Sequence, residues 1–401
     1  RRLCMLLNVA RASFSRTSPS IRPSISIPCN LFGVRLHSAI APAFPSSSAS
    51  RRALPLVCGS TEGQPPKHNS ITTMADKLCA SGAEVFKKGN WFHEKLEDGL
   101  VISFEIAECY HTATSKFQTV DVIETVPFGR CLITDRLMQS AYKDEMVYHE
   151  SLVQPSLFAH PCPKKVFIGG GGEGATLREV LRHKSVEECV MVDIDGEVVQ
   201  MCKEYLPQHH AGAYDDPRAK LIIDDCKAQL EGYADGYFDV IILDLSDPLD
   251  GGPCYQLYTT SFYSMCKAKL AEGGVFVTQS GCGGIADADR CFTCVHSTLK
   301  QVFPKVHGYT THVPSFTSEW GFNLALKSGE TDVGSDDYAH ALDKRVEEKG
   351  LGEQLQWYDS VTHRRMFSLS KPVRKMLQNE TRVMTVENPL FMTDATSGIN
   401  C

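Results

Sequence analysis

Gly169-Gly170-Gly171-Gly172-Glu173-Gly174 concentrates the most chemistry in the fewest residues. It follows a short apolar run, KVFIG (165–169), and opens a helical pattern, ATLREVLRH (175–183). It fits G-x-G-x-x-G, and Asp193 lies 19 residues beyond Gly174, which is the spacing of a dinucleotide-binding fingerprint. Glu173 argues against a dinucleotide. A carboxylate at the start of a helix repels a pyrophosphate and attracts a cation. A sulfonium nucleoside, positively charged and free of phosphate, suits the loop better. The plainer alternative is that Glu173 points away and only favours the helix dipole.

Three further acidic groups recur in the same setting. Asp193 ends the run CVMVDID (189–195), Asp224-Asp225 ends AKLIIDD (219–225), and Asp244 ends FDVIILDL (238–245), with Asp247 just beyond. Acids at the carboxyl ends of successive strands face the crevice where open α/β sheets bind ligands. Asp193 is placed to accept ribose hydroxyls, and a carboxylate of Asp224-Asp225 an adenine amino group; any one of them alone could be a structural cap. Asp244 and Asp247 form a close pair. An amine is protonated near neutral pH, with a pKa of about 10, so an enzyme that alkylates it must remove a proton and hold the nitrogen in line. One carboxylate can take the proton while the other holds a neighbouring ammonium. Tyr148 and His149, on the preceding helical stretch, either add hydrogen bonds or are packing and surface residues.

The elements that position these groups follow from periodicity. From Trp91, the segments VISFEIA (101–107), FQTVDVIET (117–125) and CLITD (131–135) read as strands, with Pro127-Phe128-Gly129 as a turn. They predict a small antiparallel sheet over 91–140. KDEMVYHESLVQPSLF (143–158) predicts a helix with Met146, Tyr148, Leu152 and Val153 on one side. Strands and helices then alternate through GGVFVTQS (273–280), which predicts a mostly parallel sheet with helices on both faces. Residues 331–401 read as a C-terminal extension with helical stretches and a strand at ETRVMTVE (380–387).

Residues 1–60 hold eight Arg and no Lys, Asp or Glu, so the rest of the chain is more acidic than the net −7 of the whole. An acidic body disfavours nucleic acid and suits a cationic substrate, or simply aids solubility. Residues 1–73 read as a plastid-type targeting segment or a non-native leader, and 74–90 as a linker. The expected location is intracellular: plastid with a true transit peptide, otherwise the cytoplasm. No apolar run approaches the roughly 20 residues of a membrane-spanning helix. The 16 cysteines are irregularly spaced, which implies reduced, partly buried thiols. Cys291 and Cys294 lack a second ligand pair nearby, and adjacent helical turns explain them better than a metal.

VFIGGGGEGATLREVLRHKSVEECVMVDIDGEVV resembles the corresponding stretch of spermidine synthases, where the loop usually reads GGGDG. HAGAYDDPRAKLIIDD, DVIILDLSDP, FQTVDV, YKDEMVYHE and GGVFVTQ continue the resemblance, which spans about Trp91 to Ser328. GGGEG, GGPCYQLYTTSFY (251–263), the Trp of PSFTSEWGF (314–322) and the tail SLSKPVRKMLQNETRV (368–383) resemble the thermospermine-forming members.

The resemblance implies a Rossmann-like S-adenosylmethionine-dependent transferase fold over 141–330, preceded by the small antiparallel β-domain. It implies an aminopropyltransferase with decarboxylated S-adenosylmethionine as co-substrate, no tightly bound cofactor and no metal. The partners it implies are a small polyamine and further copies of the chain, as a dimer or tetramer. Gln118, Gly170, Gly172, Glu173, Asp193, Asp225 and Cys226 match donor-binding positions. Asp244 matches the proton acceptor. Tyr148, His149, Asp244, Asp247, Pro253 and Gln279 match or border the amine site. Cys226 stands where spermidine synthases have Gly, and Phe316 where they commonly have Tyr, which removes one hydrogen bond to the amine. GGPC lengthens the loop after Asp247. These departures favour an acceptor longer than putrescine, such as spermidine. The competing readings are a spermidine synthase acting on putrescine, a methyltransferase on the same fold, an NAD-dependent oxidoreductase and a non-catalytic polyamine-binding protein.

Overall fold

The computed structural model describes residues 89–391, apart from 98, 249–252 and 330. The leader (1–73) and nearly all of the linker (74–90) lie outside the described residues.

The N-terminal sheet has five antiparallel strands in sequential order: β1 (Asn90–Glu97), β2 (Leu100–Thr114), β3 (Thr119–Thr125), β4 (Gly129–Thr134) and β5 (Leu137–Ala141). β1 and β5 add to the three expected strands, and β2 runs seven residues past its expected end at 107. Asp135 and Arg136 close the β4–β5 hairpin with φ of 48° and 65°, the left-handed pair that matches strand twist in a two-residue turn. Asp135 Oδ1 also accepts the Thr119 N–H at 2.8 Å, which ties this hairpin to β3.

The second sheet has seven strands in the order β11 (Lys305–Val313), β12 (Ser318–Leu326), β10 (Leu270–Cys282), β9 (Phe238–Asp244), β6 (Lys165–Gly170), β7 (Glu188–Asp193), β8 (Ala219–Ile223). β10, β9, β6, β7 and β8 pair in parallel, while β12 and β11 are antiparallel. Side chains alternate across it. Val166, Ile168, Val240 and Ile242 join one core with α1 (Glu145–Ala159) and α2 (Ala175–Leu181). Phe167, Ile241 and Leu243 join another with α5 (Cys226–Glu231), α6 (Thr260–Lys269) and α7 (Phe292–Lys300). Between α2 and α5 lie α3 (Gly196–Tyr205) and the single turn α4 (Pro207–His210). This is the mostly parallel sheet with helices on both faces that the alternation predicts, and the Rossmann-like fold that the resemblance implies. Cys291 and Cys294 sit at the start of α7, both buried in that second core.

Two expectations are corrected. α1 is not one-sided: Glu145 and every residue from Val147 to Phe158 are buried. The helix is enclosed by the sheet, α2 and the C-terminal segment, so its polar residues must find partners inside. Pro155 removes the N–H that would donate to Ser151, and the Tyr309 hydroxyl donates to that freed carbonyl at 2.9 Å. ETRVMTVE (380–387) forms no strand. Its backbone bonds go elsewhere: Met384 N–H donates to Thr298 Oγ1 at 2.9 Å, and Met384 O accepts from Thr260 N at 3.0 Å. The C-terminal segment is otherwise helical, with α8 (Asp336–His340), α9 (Leu342–Glu348), α10 (Ser360–Phe367) and α11 (Lys371–Asn379). Among the described residues, no helix is long and apolar enough to cross a membrane.

Candidate active site

The loop after β6 brings backbone against two carboxylates. A Cβ on Gly172 would lie 2.8 Å from Asp193 Oδ2, so only glycine lets Asp193 rest on the loop. The Gly172 carbonyl accepts the Tyr214 hydroxyl at 2.6 Å. Burial pushes the Asp193 carboxyl up to about 6, against the pull of the Asp195 N–H.

Asp195 was not among the expected site residues, yet it organises this side. It caps α3 by accepting from Glu197 N and Val198 N. Its other oxygen accepts from Ser115 Oγ at 2.6 Å and Gln118 Nε2 at 3.1 Å. Gln118 therefore reaches across from the N-terminal sheet and spends its amide on Asp195. The sequence signal was an Asp directly before Gly196-Glu197, an N-cap pattern. Asp225 caps α5 through Ala228 N at 2.8 Å, and Asp224 holds Asp225 N and Gln229 Nε2. Cys226 begins α5, with its Sγ 2.9 Å from where a Cβ on Gly169 would stand. Burial pushes its thiol well up, so it is a packing group there.

Asp244 closes β9 on the other side of the loop. Its Oδ1 accepts from Tyr148 at 2.7 Å and its Oδ2 from Thr176 Oγ1 at 2.5 Å. Burial, then the nearby Glu173, push its carboxyl up to about 6, while His149, Thr176 and Tyr148 pull it down. Thr176 was not foreseen; it lies in the first turn of α2. Burial also pushes Asp247 up to about 6, opposed by Gln279. Gln279 Nε2 reaches Asp247 Oδ1 at 3.0 Å, Leu245 O at 2.7 Å and the Tyr258 oxygen at 3.0 Å. Gln279 thus sets the orientation of Asp247 from beneath. Pro253 starts a short 3₁₀ turn (Pro253–Tyr258); its side chain, and Gly251 and Gly252 before it, lie outside the described residues. Tyr148 packs against Phe316 (5.8 Å between ring centroids) and Phe322 (5.6 Å), and Phe316 against Trp320 (4.9 Å). An apolar wall therefore stands beside Asp244 where a tyrosine hydroxyl was expected to be lost.

His149 has a different place from the one expected. It is fully buried, with Nδ1 2.8 Å from Glu145 Oε2 and Nε2 2.7 Å from Glu173 Oε1. Burial lowers its pKa, but the two carboxylates outweigh it and raise it to about 10. His149 is therefore a cation between two anions, with no nitrogen left for an amine. Glu173 does not point away: burial raises its pKa, and His149 more than offsets this. One donor atom each from His149, Glu173 and Asp244 lies within 4.8 Å of the others, as in a metal site. An imidazolium with both nitrogens bonded to carboxylates has no lone pair to give a metal.

Taken together, the carboxyl edge of the sheet presents one carboxylate ready to accept a proton at neutral pH, a second three residues further along the chain, and Asp193 across the loop. That charge suits a cationic substrate next to a cationic nucleoside.

Residues 145–336 match the spermine/spermidine synthase domain, and residues 90–141 the spermidine synthase tetramerisation domain. The chain is 43% identical over 304 residues to a thermospermine synthase of Arabidopsis thaliana, covering 76% of this chain and 87% of that one. It is 39% identical over 315 residues to a polyamine aminopropyltransferase of Aeropyrum pernix, covering 78% and 99%. Among solved structures, it is similar to a spermidine synthase in complex with the transition-state analogue AdoDATO. That match has a TM-score of 0.65 and 30% identity, over 72% of this chain and 95% of that one. A spermidine synthase from Thermotoga maritima gives a TM-score of 0.64, with 29% identity over 73% and 95%.

Proposed function

This chain belongs to the spermine/spermidine synthase family, and from that premise we propose that it moves an aminopropyl group from decarboxylated S-adenosylmethionine to spermidine, giving thermospermine and methylthioadenosine. The amine nitrogen forms a bond to the propyl carbon, the carbon–sulfur bond breaks, and the sulfonium becomes a neutral thioether. The proton lost by the nitrogen goes to Asp244. The observation that carries this reading is the Asp244 carboxylate, half-buried at the end of β9 and held by Tyr148 and Thr176. Asp247, aligned by Gln279, holds the neighbouring ammonium. Asp193, Asp225 and the backbone of Gly170–Gly172 take the nucleoside, with Gln118 and Glu173 bordering it.

The Phe316–Trp320 wall and the likeness to a thermospermine synthase support spermidine as the acceptor. Putrescine is the second reading, favoured by the likeness to spermidine synthase structures. Incubation with the donor and each amine, followed by chromatographic separation of spermidine, spermine and thermospermine, tests both. Thermospermine from spermidine is expected. Product from putrescine alone overturns the acceptor assignment. Methylated product with intact S-adenosylmethionine overturns the reaction class. The tetramerisation domain supports a homo-oligomer as the working form.

A further inference from the structure

Glu150 lies two residues after Tyr148 on α1, and so on a nearly opposite side of the helix. It is fully buried. Its Oε1 accepts the Gln356 N–H at 2.8 Å, and its Oε2 accepts the N–H groups of Trp357 at 2.9 Å and Tyr358 at 2.8 Å. Burying a carboxylate is costly unless its hydrogen bonds are made, and this one is committed to a single turn of the C-terminal segment.

That turn leads into α10, which returns to the same helix. Ser151 Oγ donates to Met366 Sδ. Phe367 stacks on Tyr309 at 4.6 Å, Tyr309 on Phe322 at 5.3 Å, and Phe322 meets Tyr148 at 5.6 Å. Tyr309 also donates to the Ser151 carbonyl that Pro155 leaves free. α1 is therefore weakened in its middle and held from outside at two points, both reached from the C-terminal segment. The matched synthase domain ends at residue 336, before this turn.

We propose that Glu150 is a positioning residue for the transfer reaction, clamping the 356–358 turn to α1 and so fixing the Tyr148 hydroxyl on Asp244. The inference rests on the assignment of Asp244 as proton acceptor. Glu150 touches neither substrate; it acts through the Tyr148–Asp244 bond. The charged and titratable groups around Asp244 are Glu173, His149, Tyr148 and Asp193, and Glu179 faces Glu150 from α2. Truncating Glu150 leaves the four groups around Asp244 in place and relieves only the repulsion on Glu179, which is not among the groups that act on Asp244, so a change at Asp244 reports the lost clamp.

The test is the rate of methylthioadenosine release against pH at saturating donor and spermidine. It compares the wild type, Glu150→Ala, Tyr148→Phe and the double variant. Loss of the tyrosine hydrogen bond to the ionised carboxylate moves the acid limb upward. Each single variant is expected to shift it by about one pH unit, and the double variant no further than Tyr148→Phe. An unmoved limb in a folded Glu150→Ala enzyme, or additive shifts in the double variant, overturns the clamp. A merely structural role lowers the melting temperature without moving the limb. Glu150→Gln, which keeps one accepting oxygen, is expected to shift it partway. Trp357→Pro, which removes one donor, gives the same comparison from the other side if Glu150→Ala does not fold. Absence of transfer by the wild type sinks the reaction assignment itself; transfer with an unmoved limb sinks only the clamp.

Discussion

Gly170 and Asp244 are in backbone contact: a Cβ on Gly170 would stand 2.1 Å from the Asp244 carbonyl oxygen, which also accepts the Gly171 N–H at 3.0 Å. The nucleoside loop and the proposed base thus share one oxygen. Gly170 also has φ of +82°. Gly170→Ala adds backbone strain to a collision that no side-chain rotation relieves, at a cost of about 3 kcal/mol or more. Gly212→Ala is the control, since it has φ of +81° but nothing within 4 Å, and strain alone costs about 1 kcal/mol. Thermal unfolding and turnover of the two variants check this; equal effects would contradict it.

Asp244→Asn should lower turnover by about 10²–10⁴-fold, the usual worth of a general base. Asn keeps the shape and can still accept from Tyr148, so donor affinity measured by calorimetry should stay within a few-fold. Near-normal turnover removes Asp244 from the role.

With Asp244 and Asp247 both pushed up to about 6, kcat/KM should climb as pH rises through about 6 and level off above it. Asp247 has a second signature. Its folded pKa is raised above the ordinary 3.8, so its favourable contribution to stability is present below 3.8 and lost as pH rises through about 6. Asp247→Asn should therefore stabilise the unliganded enzyme at pH 8, on the order of 1 kcal/mol for a partly exposed group, while raising KM for the amine. Loss of stability at pH 8 would contradict the assignment of a carboxylate whose burial outweighs its bond to Gln279.

The Glu145–His149–Glu173 relay has the opposite pH behaviour. His149, raised to about 10, contributes stability that is full below 6.5 and lost as pH rises through 10. Glu145, burial notwithstanding, is drawn down to about 2 by His149 and Arg178; its contribution is full above 4.5 and lost as pH falls through 2. Both are present between 4.5 and 6.5. His149→Gln should cost on the order of 3 kcal/mol there, as for a broken buried pair, and less as pH approaches 10. Denaturant titrations at pH 5.5 and pH 9.5 compare the two; a difference independent of pH would remove the charge from His149.

The acids at the strand ends were legible because each closes an apolar run at a spacing that fixes its place in the sheet. Asp193, Asp225 and Asp244 all stand at the carboxyl edge for that reason. His149 was not legible as a buried cation. One of its carboxylates, Glu145, is a helical turn away, but Glu173 arrives from a different element, and one sequence does not show that meeting. The same holds for Gln118, whose amide is taken by Asp195 some 77 residues on. α1 read as one-sided because its outer cover, residues 356–367, lies two hundred residues downstream. ETRVMTVE has strand-like residues but satisfies its backbone on Thr298 and Thr260, a tertiary choice that overrides local propensity.

The strand order has a consequence for diversification. The chain lays β7 and β8 to one side of β6, then crosses back to build β9, β10 and β12 on the other. Asp193 and Asp225 hang from the first flank; Asp244, Asp247, Gln279 and Trp320 from the second. On the proposed assignment, the two reactants are read by largely separate stretches that meet at a single seam. Apart from Tyr148, the residues proposed for the amine follow residue 243, so on that assignment drift there can re-tailor the accepted amine while the nucleoside half stays untouched.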